Sequence, residues 1–259
     1  MKVSYYHLGT LCPSDLVSEL PTSEASLPQI PATICYVLGV QVPDFLPTPI
    51  QEIATQFRGV ERVVFVLLDN FGLFEVTYYK PQFLIESCNA LVLLSTKNPY
   101  TLGVLHQIMY GGFDIEPNGF HLLRYLNQRG KTTAMVGRDK DLKRYDGGTR
   151  AIPKDSDMNT WIEAAKLTNR INMSWFHFLD FENLYRQQAK LGREPGDLID
   201  KLLKRTDKWI LSMHKQLRGN SLMIVLGDHG RYKMDLNYTD KIAQWRQASV
   251  PIAIVIKKD

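Results

Sequence analysis

Three apolar runs in this sequence each lead into an aspartate. VVFVLLD ends at Asp69, SWFHFLD ends at Asp180, and LMIVLGDHG contains Asp228 followed by His229. In an open α/β sheet, ligands usually bind in the crevice beyond the carboxyl ends of the strands. Three carboxylates that meet there repel one another unless a cation neutralises them. The pattern predicts a divalent metal site, whereas each aspartate taken singly could equally cap a helix or a turn.

Of the six histidines, His229 is the predicted metal ligand. It lies between Asp228 and Gly230, and a small residue at a turn lets side chains and backbone crowd a cation. Four others fall in predicted helices or strands and are interpreted as packing or surface residues: His106, His121, His177 and His214. His7, in the N-terminal arm, has no assigned role.

A nucleophile is expected near the same edge of the sheet. The segment LLSTKNPYTLGVLHQIMYGG leaves a strand, turns at Asn98-Pro99 and enters a helical stretch. A hydroxyl in the first turn of that helix lies at the positive end of the helix dipole, which favours an alkoxide. Thr101 is the best-placed hydroxyl, with Thr96 and Ser95 as alternatives. The competing interpretation is that Thr101 only caps the helix.

The elements that position these residues follow from the distribution of apolar side chains. Short runs, most of them apolar on successive positions, predict strands covered on both faces: Arg62–Leu68, Ala90–Leu94, Thr132–Gly137, Met173–Leu179, Ser221–Leu226 and Val250–Ile256. Longer amphipathic stretches predict helices: Gly119–Gln128, Met158–Lys166, Phe181–Leu191 and Pro195–Leu217. This alternation indicates an α/β layered fold.

The N-terminal part of the chain differs from the rest in its proline content. Residues 1–50 contain seven of the 13 prolines. That density predicts an irregular arm with short helices near 30–38 and 48–57. We interpret residues 1–259 as a single domain that carries this Pro-rich arm over about residues 1–58.

The amino-acid composition limits the kinds of partner that we expect this protein to bind. The apolar fraction of 44% and the charged fraction of 22% are ordinary for a protein with a sizeable core. The net charge of +4 is spread along the chain, which argues against a nucleic-acid polymer or a membrane as the partner. Three cysteines without a CxxC spacing, Cys12, Cys35 and Cys88, indicate free thiols in a reducing compartment. With no signal-peptide pattern and no apolar run near 18 residues, we expect a cytoplasmic protein.

These motifs resemble those of the alkaline-phosphatase superfamily, in its branch of type I phosphodiesterases and nucleotide pyrophosphatases. VVFVLLDNFG resembles the strand and Asp-Gly opening of that branch, and VLGDHGRY is similar to its Asp-His-Gly signature. FHFLDFENL resembles its third metal-ligand segment, and the order along the chain is the same. The resemblance implies a three-layer sandwich with a mostly parallel central sheet flanked by helices.

The resemblance also implies a site. In such enzymes two metal ions, often zinc, hold an alkoxide-forming Ser or Thr and the phosphate ester. Carried over, one metal site comprises Asp69, Thr101, Asp228 and His229, with Thr101 as the catalytic nucleophile and Asp180 in the second site. An alternative register places the nucleophile at Leu102, which has no hydroxyl. Asn70 and Arg231 are expected to bind the substrate.

The chain departs from the family around Asp180. Leu184 stands four residues later, where the family has a histidine, and no histidine follows His229. Glu182 could replace one ligand as a carboxylate. Asn70 stands in place of a small glycine, and Asn118 in place of a common histidine. The second metal site is therefore predicted to be incomplete.

Two functions follow from the sequence. The first is a metal-dependent phosphoric-ester hydrolase, a phosphodiesterase, nucleotide pyrophosphatase or phosphatase, acting on a small phosphate ester. It would use one or two divalent ions, zinc or manganese, with Arg231, Lys233 or Arg138 supporting the leaving group. The second is a non-catalytic family member that serves in binding or assembly. A Rossmann-type nucleotide-binding domain is disfavoured because no GxGxxG follows a strand.

Overall fold

The computed structural model describes residues 4–6, 25–72, 75–76, 79–94, 100–112, 119–193, 196–229 and 252–258. Several residues singled out from the sequence lie outside these ranges: His7, Cys12, Ser95, Thr96, Asn98, Pro99, Asn118, Gly230, Arg231 and Lys233.

The described strands form one mostly parallel sheet. They are β1 (Ser4–Tyr6), β2 (Arg62–Leu68), β3 (Ala90–Leu93), β4 (Thr133–Gly137), β5 (Arg150–Pro153), β6 (Met173–Phe178), β7 (Ser221–Gly227) and β8 (Ile252–Lys258). Their order across the sheet is β1-β3-β8-β7-β2-β6-β4-β5. Only β8 runs antiparallel to its neighbours among these strands. The predicted α/β fold with a mostly parallel sheet is confirmed.

The central strands are apolar throughout because both faces of the sheet are covered. Val63, Phe65 and Leu67 of β2 belong to one hydrophobic cluster, whereas Val64 and Val66 belong to another. This alternation reflects the two-residue period of a strand. Since no central strand has a solvent face, the sequence shows continuous apolar runs rather than alternation.

Helices form the two outer layers. The described α-helices are α1 (Gln29–Val37), α2 (Gln51–Gln56), α3 (Gln82–Ser87), α4 (Thr101–Tyr110), α5 (Leu122–Gln128), α6 (Asp139–Tyr145), α7 (Asp157–Leu167), α8 (Asp180–Lys190) and α9 (Asp197–Gln216). Apolar side chains of α1, α2, α4, α5 and α6 pack in the first cluster, and those of α7, α8 and α9 in the second. The architecture is a three-layer sandwich.

The helices of the Pro-rich segment lie close to their predicted positions. The sequence predicts helices near 30–38 and 48–57, and α1 and α2 occupy Gln29–Val37 and Gln51–Gln56. Ile30 and Ile53 are fully buried in the first cluster. This part of the chain therefore contributes to the core of the sandwich.

Two further observations bear on the chemistry that is available. No helix among the described residues is long and apolar enough to cross a membrane. Cys35 and Cys88 are free and buried, and burial raises the pKa of each thiol to about 12. Neither is a reactive nucleophile at neutral pH, because the thiolate is the nucleophilic form.

Gly227, the last residue of β7, is constrained by a close backbone contact. A Cβ atom at this position would lie 2.0 Å from the Phe71 carbonyl oxygen. Phe71 follows β2, so the turn after β2 can pass over the end of β7 only if residue 227 lacks a side chain. The contact holds together the two strand ends that carry Asp69 and Asp228.

We expect Gly227→Ala to lower the free energy of unfolding by about 3 kcal/mol, because the clash is with backbone and cannot be relieved by a rotamer change. Urea denaturation measures the change. The control is Gly112→Ala, where a Cβ meets nothing within 4 Å and φ is not positive. Equal stability of the two variants would contradict the packing described for Gly227.

Candidate metal and nucleophile site

The site begins where β2 and β7 end side by side. Their parallel register pairs Leu68 with Gly227, so the next residues, Asp69 and Asp228, are neighbours at the carboxyl edge. Ligand atoms of Asp69, Asp228 and His229 all lie within 4.8 Å of one another, and the three residues are buried. The structure thus brings these three predicted residues together.

Asn70 sets the geometry of the turn after β2. Its φ of 62° is in the left-handed region, which asparagine tolerates better than most residues. In this conformation its backbone N–H donates to Asp228 Oδ1 at 2.9 Å, and its side-chain Nδ2 donates to Glu182 Oε2 at 3.0 Å. Asparagine here thus adds a side-chain donor that a glycine lacks.

Thr101 brings a hydroxyl to the cluster. It is the first residue of α4. Its Oγ1 donates to Asp69 Oδ1 at 3.1 Å and lies 2.9 Å from His229 Nε2. The neighbouring Leu102 instead packs against the hydrophobic core. Of the two residues, Thr101 is the one whose side chain contacts Asp69 and His229.

The chemistry of this cluster fits a divalent cation. Asp228 Oδ2 is buried and makes no hydrogen bond with any described residue. Burial raises the pKa of Asp228 well above its ordinary value, and the adjacent Asp69 carboxylate raises it further. Two carboxylates and an imidazole are ordinary zinc ligands, and ligation would satisfy the orphaned oxygen. Asp69, Asp228 and His229 would hold the ion, with the Thr101 hydroxyl beside it.

His177, which the sequence suggested was a packing residue, links two carboxylates. It is in β6 with its side chain fully buried; Nε2 lies 3.5 Å from Asp69 Oδ2, and Nδ1 lies 3.3 Å from Asp141 Oδ2. Burial opposes its protonation, but Asp141 and Asp69 outweigh burial and raise the pKa of His177 to about 9. The imidazolium form of His177 at this position compensates the negative charge of the Asp69 carboxylate. The sequence signal for this role is an ionisable residue inside a fully buried strand, where it needs a partner.

Arg138 completes this network toward the surface. Its Nε and Nη2 donate to the two oxygens of Asp141, each at 3.1 Å. Burial raises the pKa of Asp141, but His177 and Arg138 outweigh burial and lower it overall. Bidentate pairs of this kind fix both partners in orientation. A continuous line of contacts therefore joins Arg138, Asp141, His177, Asp69 and Thr101.

Asp180, predicted for a second metal site, lies outside the group formed by Asp69, Asp228 and His229. It begins α8, where its carboxylate pairs with Arg205 and its backbone N–H donates to Asp157. Leu184 packs against the second hydrophobic cluster. Among the described residues, no second group of three potential ligands comes together. Arg205 thus compensates the charge of the Asp180 carboxylate.

Glu182 takes a place near the cluster instead. It is 3% exposed, accepts the hydrogen bond from Asn70, and forms an ion pair with Arg186 one turn further along α8. Glu182 and Arg186 line a cavity of about 350 Å³ together with Asp69 and Thr101. The remaining lining residues are Tyr100, Leu102, Arg138, Lys140 and Asp141.

This architecture, with acidic residues and a hydroxyl at the carboxyl edge of a mostly parallel sheet, is an alkaline-phosphatase-like fold. The C-terminal periplasmic domain of EptC from Escherichia coli, solved in complex with Zn, is similar at a TM-score of 0.55 and 14% identity. The likeness covers 77% of this chain and 74% of that one. An alkaline-phosphatase-superfamily protein from Vibrio parahaemolyticus is similar at a TM-score of 0.50 and 12% identity, over 77% of this chain and 60% of that one. No family model and no curated protein sequence matches the chain.

Asp157 anchors the start of α8, the helix that carries Glu182 and Arg186. It accepts the backbone N–H groups of Leu179 at 2.7 Å and Asp180 at 2.8 Å. Burial raises the pKa of Asp157 from 3.8 to about 7, and the nearby Asp180 carboxylate contributes to the rise. The folded state therefore binds a proton that the unfolded state releases between these two pH values.

We expect Asp157 to make the unfolding free energy fall as the pH rises from about 4 to about 7, by up to about 1.4 kcal/mol per pH unit. Urea denaturation at several pH values in this window measures the slope. Asp157→Asn, which cannot titrate, should show a shallower fall than the wild type. Asp139→Asn, an exposed control on α6, should keep the wild-type slope. If the unfolding free energy of Asp157→Asn fell with pH as steeply as that of the wild type, the raised pKa of Asp157 would be disproved.

Proposed function

We propose that this protein is a metal-dependent phosphoric-ester hydrolase of the phosphodiesterase or phosphatase kind, acting through Thr101. The observation that carries the proposal is the Thr101 hydroxyl within 3.1 Å of Asp69 and 2.9 Å of His229, in a cluster that fits a divalent ion. The alkaline-phosphatase-like fold supports the same class of chemistry. The proposed substrate is a small phosphate ester.

The residues of this chain define the proposed reaction. Thr101 Oγ attacks the phosphorus, and its proton passes to Asp69 Oδ1, which accepts the hydrogen bond of the hydroxyl. The ester P–O bond breaks as the new O–P bond forms. The alcohol departs with a proton from solvent. Water then attacks the phosphorylated Thr101, releasing phosphate and restoring the hydroxyl. Asp69 and His229, the two hydrogen-bond partners of the hydroxyl, orient its oxygen toward the cavity.

The proposed cofactor is zinc, or alternatively manganese, held by Asp69, Asp228 and His229. When bound, a divalent ion would stabilise the alkoxide form of the hydroxyl and neutralise charge on the phosphoryl oxygens. The similar EptC domain is described in complex with Zn, which supports the choice of metal. Because Asp180 is paired with Arg205, we propose one ion per chain rather than two.

The alternative is a non-catalytic relative that uses the fold for binding or assembly. The absence of a second ligand cluster among the described residues favours it. Against it, Asp69 and Asp228 are buried side by side, a costly arrangement for which a cation provides the compensation. Metal content and turnover separate the two functions.

We expect purified protein to contain about one zinc or manganese ion per chain and to hydrolyse a p-nitrophenyl phosphate ester. Thr101→Ala should retain the ion and lose roughly 10³-fold or more in rate, because the nucleophile is gone. Asp228→Asn should lose both the ion and the activity. Elemental analysis and release of p-nitrophenol measure the two effects.

The matched control is Thr101→Ser, which keeps the hydroxyl and should keep most of the activity. Wild-type protein without metal, and without turnover when Zn²⁺ or Mn²⁺ is added, would exclude the enzyme in favour of the non-catalytic alternative. Full activity in Thr101→Ala would exclude this residue as the nucleophile.

A further inference from the structure

The cavity that Thr101 lines also carries basic side chains from two parts of the fold. Arg138, in the segment between β4 and α6, Lys140 of α6 and Arg186 of α8 all line it. Thr101 and Asp69 line the same cavity. Cationic side chains around a nucleophile neutralise an anion while it reacts.

The acidic residues of the cavity are already compensated by partners. Asp141 is paired with Arg138 and His177, and Glu182 with Arg186. Lys140 is exposed and forms no ion pair with a described residue. Asp69 belongs to the metal cluster. Since acidic and basic lining residues balance in number, a bound divalent ion gives the cavity a net positive charge.

The ion pair between Glu182 and Arg186 differs from a solvated surface pair because its carboxylate is buried. The Glu182 side chain is 4% exposed and fixed by Asn70, whereas that of Arg186 is 63% exposed. A buried, hydrogen-bonded carboxylate gives the guanidinium a defined anchor, and a preorganised cation loses less entropy when it binds an anion. Lys204 and Asp200 on α9, both exposed, form a surface pair without such an anchor.

We propose that Arg186, anchored by Glu182, together with Lys140 and Arg138, forms a phosphoryl-binding wall that selects phosphomonoesters over phosphodiesters. The proposal rests on the proposed hydrolase function and specifies its substrate class. A phosphomonoester carries a charge between about −1.5 and −2 at neutral pH, whereas a diester carries only one negative charge. Three cationic side chains in the cavity that Thr101 lines favour binding of the second charge. The wall supplies positive charge in a chain whose described residues form no second metal cluster.

The test is calorimetric titration of inorganic phosphate into zinc-loaded protein freed of excess zinc. The wild type should bind phosphate, and Arg186→Ala and Lys140→Ala should each weaken binding about tenfold, as expected for loss of one charged hydrogen bond. The controls are Lys190→Ala on α8 and Lys143→Ala on α6, which remove an exposed charge from the same helices outside the cavity. These should bind within about twofold of the wild type.

A second measurement compares p-nitrophenyl phosphate with bis(p-nitrophenyl) phosphate. The wild type should favour the monoester in kcat/KM, and Arg186→Ala should reduce that preference about tenfold. No phosphate binding by the wild type, unchanged binding in Arg186→Ala, or a wild-type preference for the diester would each overturn the proposal. Phosphate binding with the expected variant pattern but no turnover would support the phosphoryl-binding wall and refute the hydrolase. Turnover that depends on Thr101, with a phosphate affinity that Arg186→Ala and Lys140→Ala do not change, would support the hydrolase and refute the wall.

Discussion

Asp69 and Asp228 are buried side by side because they follow adjacent parallel strands whose ends are in register. Two desolvated carboxylates this close repel one another and cannot both stay ionised without positive charge nearby. The rest of the site is organised around this constraint. Asn70 donates to one carboxylate, His177 faces the other, and Thr101 and His229 surround the space between them. A cation in that space would complete the compensation.

The two sides of the site compensate charge by different means. On the Asp228 side, Asp228 Oδ2 has no hydrogen-bond partner among the described residues, and this carboxylate oxygen is a natural ligand for an ion. On the α8 side, the protein pairs its own groups, Asp180 with Arg205 and Glu182 with Arg186. These ion pairs compensate charge on the α8 side with groups of the chain itself. The asymmetry is therefore a property of residue types along α8 and α9 rather than of the backbone.

The sequence predicted those parts of the structure that depend on local pattern. The buried runs gave β2, β6 and β7 nearly to the residue, and strand ends placed Asp69 and Asp228 at one edge. Two short outer strands, β1 and β5, were missed because their three and four residues are too few to show an apolar run, and β5 is largely exposed. The pairing of Asp180 with Arg205, and the link through His177, depend on partners distant in sequence. No spacing rule reports that Arg205 reaches Asp180, or that Asp141 lies behind His177.

The line of contacts from Arg138 through Asp141 and His177 to Asp69 has an evolutionary consequence. Replacing Asp141 alone would leave a buried imidazolium facing one carboxylate instead of two, and replacing His177 alone would leave two buried carboxylates without their shared cation. Residues in one such network do not change stability independently, so their replacements are coupled. Across related sequences, positions 141 and 177 should therefore change together, while Leu184, whose contacts are apolar, is free to vary in size alone.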